Sequence, residues 1–513
     1  MLSTTVVALL SASACSDDDE PAGQAGAAGT GARGGSSGAS GSSGRGGSSG
    51  TAGASGNAGR GGTGGTGGTA GTGGTANTDA GDGSVDAGGT AGTGGAGGTT
   101  GTGGSAGTPT DAGDGGVHPY AAFSPLPAVP ADPTNTFANN AAAAALGQKL
   151  FFDQNFSGKI VVASDLGAVD EVGKVSCASC HSGPGLDDAR SNPDNISMGT
   201  NRHTRNSPTL VNASFYKWTN WAGRFAAQWE LPAAVAENGV IMNGNRLQIA
   251  HRIFDVYKTE YEAIFGALEP ELANTTRFPP NGKPKGTNPD GPWELNMTDA
   301  DRTIVTRILV NYSKAITAYM RLLVSRDAPF DRWVAGDNGA ISDSAKRGAD
   351  LFRGKANCTS CHTGSHFSDD QFHNIGVPQT GPNVPATDLG RFTNGSQLLT
   401  AAINVDSVWS DKRDTGMLAG LTNPMPDSTK SQFRTPDLRG VALTAPYMHA
   451  GQFATLEQVI DFYNAGAAPD AGTIDQEIQP LNLSTQEKAD LVEFLKTLTG
   501  AQIPASLLVD STP

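Results

Sequence analysis

The pentapeptide Cys-x-x-Cys-His occurs twice in this chain, as Cys177-Ala-Ser-Cys-His181 and as Cys358-Thr-Ser-Cys-His362. It is the attachment signal for c-type haem: the two thiols add to the haem vinyl groups as thioethers, and the adjacent histidine offers a ring nitrogen to the iron. A zinc site would need further Cys or His ligands at suitable spacing. Of the five cysteines, four belong to the two motifs and the fifth is Cys15, so no thiol is left for a structural disulfide. The expectation is two covalently bound haem c groups, one held by Cys177, Cys180 and His181, the other by Cys358, Cys361 and His362.

Composition divides the rest. The chain has 513 residues and 70 Gly, most of them before about residue 117 in runs such as Gly61-Gly-Thr-Gly-Gly-Thr. Such a stretch cannot bury enough apolar surface to offset the entropy of ordering its backbone. Residues 16–119 are therefore expected to be a disordered Gly/Ala/Ser/Thr-rich tether. A collagen-like reading fails for want of a strict G-X-Y period with abundant Pro. The segment 1–15 ends in Val6-Val-Ala-Leu-Leu-Ser-Ala-Ser-Ala-Cys15. It resembles a bacterial lipoprotein signal, with Cys15 as the lipidation site. No Lys or Arg precedes the apolar stretch, unlike the usual secretory n-region, and an untargeted tail is the alternative. No apolar run is long enough to span a bilayer. A periplasmic or outer-membrane-associated location is expected, with membrane contact only through a lipid anchor. The net charge of −15 argues against a nucleic acid partner and permits a basic redox protein.

The ordered part reads as mostly helical. Ala143–Asp153 leads to the first motif as a helix. The pattern breaks near Pro329–Asn338, and Ser342 then serves as N-cap for a helix over Ala345–Arg353 that leads to the second motif. Thr455-Leu-Glu-Gln458 and Ser484-Thr-Gln-Glu487 fit capping boxes. Gly466 can stop the first of these helices, and the second runs to about Leu498. Each haem motif thus has its own preceding helix. The expected fold class is all-α, with two tandem cytochrome c-like domains over 120–335 and 336–513.

Several segments carry a resemblance to the bacterial dihaem cytochrome c peroxidase/MauG family. Gly147-Gln-Lys-Leu-Phe-Phe-Asp153 precedes the first motif; Arg205-Asn-Ser-Pro-Thr-Leu-Val-Asn212 and Trp221-Ala-Gly-Arg224 follow it. Phe367–Gly376 follows the second motif, and Phe433-Arg-Thr-Pro-Asp-Leu-Arg-Gly-Val-Ala-Leu-Thr-Ala-Pro-Tyr-Met-His449 is the strongest block.

The resemblance implies an enzyme that uses hydrogen peroxide at the first haem. Electrons would come from a donor cytochrome, a small redox protein or a protein substrate. His181 and His362 become the proximal iron ligands. The distal ligand of the second haem falls fourteen positions beyond His449, at Tyr463. Peroxidases of the family carry Met there and the MauG-like branch carries Tyr. Leu456, Val459, Ile460 and Tyr463 also follow helical spacing, which equally fits a plain core tyrosine. Met448, Met425 and Met417 are rival ligands outside the matching position. Trp221 matches the tryptophan between the two haems. Asn206, with the carbonyls of Thr444 and Pro446, matches an interdomain calcium site, and hard oxygen ligands suit calcium. Arg224, Arg439 and His373 are candidate partners for the haem carboxylates.

The distal side of the first haem departs from the family. Thr200 stands where a distal His can occur, with His203 three residues on. Leu231 and Ile241 stand where Gln and Glu are expected; Gln228 and Glu237 lie nearby and are the substitute candidates for proton handling. Trp221, Glu237 and His203 are therefore the expected catalytic residues. A non-catalytic dihaem electron carrier is the competing function, supported by Ile241.

Overall fold

The helix expected ahead of the first motif runs over Ala141–Phe152 (α1), opening two residues earlier than the sequence suggested because Asn140 caps it by accepting from the Ala143 amide. In this computed structural model the described residues are 117–193, 196–284, 292–466 and 473–513. The segment 1–15, Cys15 and the tether as far as residue 116 lie outside them. The further helices are Cys177–Cys180 (α2), Glu230–Glu237 (α3), Arg246–Val256 (α4), Lys258–Phe265 (α5), Pro292–Asn296 (α6) and Asp299–Met320 (α7). They continue with Pro329–Val334 (α8), Asp343–Arg353 (α9), Arg391–Thr400 (α10), Leu456–Ala465 (α11) and Thr485–Lys496 (α12). The caps expected at Ser342, Thr455 and Ser484 are made, the last two as full capping boxes. Pairing between strands is confined, among the described residues, to single bridges and one two-residue antiparallel ribbon, Phe372↔Arg434 and His373↔Phe433.

Two apolar cores carry the fold. The first gathers Leu150, Phe156, Leu247, Ile253, Tyr257, Val305, Tyr312 and Tyr319 from α1, α4, α7 and the loops between them. The second gathers Phe330, Ala345, Phe352, Phe367, Leu491 and Phe494 from α8, α9, α12 and the loop after the second motif. Full burial of a side chain such as Phe494 or Leu491 is worth about 1.5–3 kcal/mol. Tyr120 and Phe123 precede α1 in the chain yet pack in the second core. There the Tyr120 hydroxyl donates to Asp350 at 2.7 Å, and the Phe123 carbonyl accepts from Arg439 at 2.9 Å. At the other end, Ile503 belongs to the first core. Residues at both ends of the described part thus cross over between the two cores.

The duplication visible at the motifs extends to the helix pairs. α1 packs on α7, and α9 packs on α12. In each pair the crossing is set by a glycine three residues before a Leu-Phe pair, Gly147 before Leu150-Phe151 and Gly348 before Leu351-Phe352. A Cβ on Gly147 would run into the Ala315 carbonyl, and a Cβ on Gly348 into the Asp490 carbonyl. The backbones come this close only because both positions lack a side chain.

Candidate functional site

Both motif histidines are oriented by the same local device. His181 Nδ1 meets the Leu186 carbonyl at 3.2 Å, and His362 Nδ1 meets the Phe367 carbonyl at 2.8 Å. The acceptor lies five residues on in each case. A carbonyl can only accept, so Nδ1 carries the hydrogen and Nε2 keeps its lone pair. Leu186 and Phe367 hold left-handed backbone, with φ 47 and φ 56. For bulky residues this costs about 1–3 kcal/mol; its recurrence in both copies ties it to aiming that carbonyl. Burial lowers the His181 pKa to about 4 and that of His362 also below its ordinary value. Both imidazoles are neutral and able to ligate.

The carbonyls of Pro208 and Pro436 face the same two rings. They belong to twin segments, Asn206-Ser-Pro-Thr-Leu210 and Arg434-Thr-Pro-Asp-Leu438. Trp221 joins the twins. Its indole Nε1 donates to the Asn206 carbonyl at 2.7 Å, and its own carbonyl accepts from the Arg434 amide at 2.8 Å.

One large cavity is lined by Cys358, Cys361 and His362 together with Trp221, Asn206 and Arg434. Leu456, Val459, Ile460 and Tyr463, the helical stripe read from the sequence, line the same cavity from α11. Burial and the adjacent Cys358 and Cys361 sulfurs push the Tyr463 phenol above its ordinary pKa. Met448 also lines the cavity, whereas Met425 is buried against Gly395. The four motif thiols are free of disulfides, and burial raises Cys177, Cys180 and Cys358 to about 12. Free thiols, neutral histidines with Nε2 available and an adjoining cavity fit a haem at the second motif. Cys361, Asp369 and His373 also form a metal-type trio within 4.8 Å. Its sulfur belongs to the second Cys-x-x-Cys-His motif.

The wall beside the first motif brings together the two departures noted in the sequence. Cys180 Sγ lies 3.4 Å from the Met198 carbonyl. Two residues on, the Thr200 amide donates to the Ile241 carbonyl at 2.8 Å. The two positions are thus joined through their backbones, and the Thr200 hydroxyl is itself bonded to the Gly239 carbonyl. Gln228 is buried, with Nε2 on the Ala213 carbonyl and Oε1 unpartnered. The expectation of Glu237 as a proton-handling group is not met by its surroundings. Both its oxygens are taken by Arg246, at 3.1 and 2.7 Å. His203 turns Nδ1 back to its own loop, accepting from the Arg205 amide at 3.0 Å.

Around the junction, Asn206 Nδ2 donates to the Pro446 carbonyl at 3.0 Å, and Thr444 lines the same cavity. Two of the three expected haem-carboxylate partners are committed elsewhere. Arg439 is spent on Asp331 at 2.9 Å twice and on the Ser365 carbonyl. His373 is clamped between Asp369 and Asp475, which raises it to about 11, the Asp369 bond contributing most. Arg224 lies over the Phe225 ring. Sequence reading passed over Arg434, which lines the cavity with an unpartnered Nε. Aligning the twin segments would have found it, opposite Asn206. It also passed over the Arg205–Asp388 ion pair, bidentate at 2.7 and 2.6 Å, which fastens the loop of His203 and Asn206 to the second half.

The family model described as di-haem cytochrome c peroxidase matches residues 141–339. The cytochrome-c peroxidase IdrP1 of Denitromonas iodatirespirans is 34% identical over 393 residues, covering 76% of this chain and 88% of that protein. The chain belongs to the dihaem cytochrome c peroxidase/MauG family. Methylamine utilization protein MauG of Methylorubrum extorquens is 28% identical over 374 residues, 72% of this chain and 81% of its own. The diheme peroxidase BthA of Burkholderia thailandensis shares the fold, with a TM-score of 0.52 at 21% identity over 75% of this chain and 94% of that one. As a dihaem cytochrome c peroxidase-type oxidoreductase, this protein is an enzyme with two haem c groups. No helix among the described residues is long and apolar enough to cross a membrane.

Proposed function

We propose that this dihaem enzyme takes hydrogen peroxide as oxidant at the first haem and draws electrons from the second through Trp221. Haem, when bound, supplies the redox chemistry at both motifs. The chain supplies placement. His181 and His362 would hold the two irons through Nε2, and Tyr463 would be a further ligand of the second. A phenolate is a hard anionic ligand, which favours ferric iron and gives the second haem a lower potential than the Met ligand of other family members would. Such a ligand supports a reading of the protein as a MauG-like member of the family.

The observation that carries the reading is the grip on Trp221, held at its indole by Asn206 and at its carbonyl by Arg434, one from each twin segment. An oxidisable ring fixed at both ends suits relay between two sites. Beside the first motif, Thr200 and Ile241 offer no carboxylate for proton transfer, so peroxide turnover is slow. Asn206, Thr444 and Pro446 hold a calcium ion that fixes the two halves. Export with lipidation at Cys15, and a donor cytochrome, small redox protein or protein substrate as electron source, complete the proposal.

The test is peroxide added to purified holoprotein. A changed Soret band with a new near-infrared absorption, the latter lost in Trp221→Phe, supports the relay. An unchanged spectrum in every redox state would leave a dihaem electron carrier. Tyr463→Phe must alter the ferric EPR and optical spectra of the second haem; unaltered spectra would remove Tyr463 as ligand.

A further inference from the structure

We propose that Arg434 is the cation that binds a carboxylate side chain of the second haem, its Nε–H being the donor. Arg434 is 6% exposed and its guanidinium lies 3.9 Å over the Tyr216 ring. One terminal nitrogen donates to the Thr435 carbonyl at 2.9 Å and is 3.8 Å from Asp370. Nε is fully buried and has no partner, and the residue lines the cavity shared by Cys358, Cys361 and His362. A buried donor on a charged group, left unmade, is rare in folded proteins. Haem c brings two ionised carboxylates, and the planar guanidinium fork suits that acceptor.

The backbone of Arg434 is fixed independently. It pairs with Phe372 in the ribbon and its amide donates to the Trp221 carbonyl. The cation is therefore built in beside the tryptophan that joins the halves. Three other groups face it. Asp370 is shared with His366, at 3.3 Å. Asp437 lines the cavity with one carboxylate oxygen unpartnered. Arg439 and His373 are committed to protein carboxylates, and among the described residues Arg434 is a cation with a buried donor still to be met.

The inference rests on haem attachment at Cys358 and Cys361. The experiment compares wild-type holoprotein with Arg434→Gln and Arg434→Lys. Haem per chain is counted by pyridine haemochrome, the carboxylate-bending bands are read by resonance Raman, and both haems are titrated for potential. In Arg434→Gln the carboxylate band of one haem shifts, and the second haem alone moves to lower potential, because a neighbouring cation favours the less positive ferrous state. Arg434→Lys keeps the charge and most of the potential but still shifts the band, since Nε–H is gone. Two haems per chain with bands unmoved in both variants would overturn the proposal. A wild type with fewer than two haems would instead defeat the attachment reading. Where Arg434→Gln loses haem on folding, the band in Arg434→Lys decides alone.

Discussion

The indole of Trp221 donates to the backbone carbonyl of Asn206 at 2.7 Å. Asn206 in turn donates its side-chain amide to Pro446, and its backbone amide to the His449 carbonyl at 2.8 Å. A ring in the first half is thereby registered against the strongest sequence block of the second. Trp221→Phe keeps an aromatic ring and removes that one donor. It should cost about 1 kcal/mol in stability for the lost hydrogen bond. The larger effect should be kinetic: after peroxide, stopped-flow spectra should show the second haem oxidised more slowly than in wild type, while haem content stays at two per chain.

The glycine crossings predict a paired outcome. Gly147→Ala and Gly348→Ala each force a methyl group into a backbone carbonyl of the facing helix, Ala315 or Asp490. Neither helix can move without disturbing its core. Overpacking of this kind costs about 1–3 kcal/mol, or more where backbone must shift. Denaturant unfolding of each holoprotein variant should show that loss. An Ala variant as stable as wild type would mean that the helix pair slides freely.

Much of this was legible in the sequence, for identifiable reasons. The caps at Ser342, Thr455 and Ser484 are local chemistry, readable from four residues each, and they were made as expected. The stripe ending at Tyr463 is a periodicity, and it lines the cavity. The longest helix, α7, was not anticipated, although Thr298 and Asp301 form a capping box at its start; with Asp in place of the usual Glu or Gln, the signal is weaker. What lay beyond reach depends on long-range pairing. Glu237 looked available as a loop carboxylate, but Arg246 folds back onto it. Arg439 looked like a haem partner, but Asp331 is more than a hundred residues away along the chain and claims it. The packing of Tyr120 and Phe123 on the second core is likewise set by tertiary contacts with no local trace.

The Arg205–Asp388 pair makes a prediction about the loop between the halves. Arg205 gives two hydrogen bonds to Asp388 and a third to Asn394 at 2.8 Å, and its charge lies 5.3 Å from the Phe433 ring centre. Burial works to raise the Asp388 pKa, and Arg205 more than offsets it, holding the carboxyl below its ordinary value. Removing one partner leaves the other charge buried and uncompensated, which typically costs about 3–5 kcal/mol. Asp388→Asn and Arg205→Met should each be strongly destabilising, and the double variant should recover part of the loss. Hydrogen exchange should rise over residues 197–206 in the single variants. Additive single effects would show that the two side chains do not act as a pair.

His449 sets a pH dependence. Its ring is 3% exposed and stacks on Phe433 with centroids 3.8 Å apart and planes 12° from parallel. Burial is the main reason its pKa falls to about 3, with Asp388 opposing and Arg205 assisting. An unfolded chain would protonate this histidine at the ordinary value of 6.5. Between those two values the unfolded state binds the extra proton and the folded state does not. Stability from this group is therefore fully present above pH 6.5 and falls as the pH drops toward 3, by at most about 1.4 kcal/mol per pH unit. Denaturant midpoints of the holoprotein at pH 7 and pH 5 should differ in that direction. His449→Phe keeps a flat ring against Phe433 and removes the titration, so its midpoint should fall less over the same interval. An equal fall in wild type and variant would mean that His449 takes up its proton in the folded state as readily as in the unfolded one.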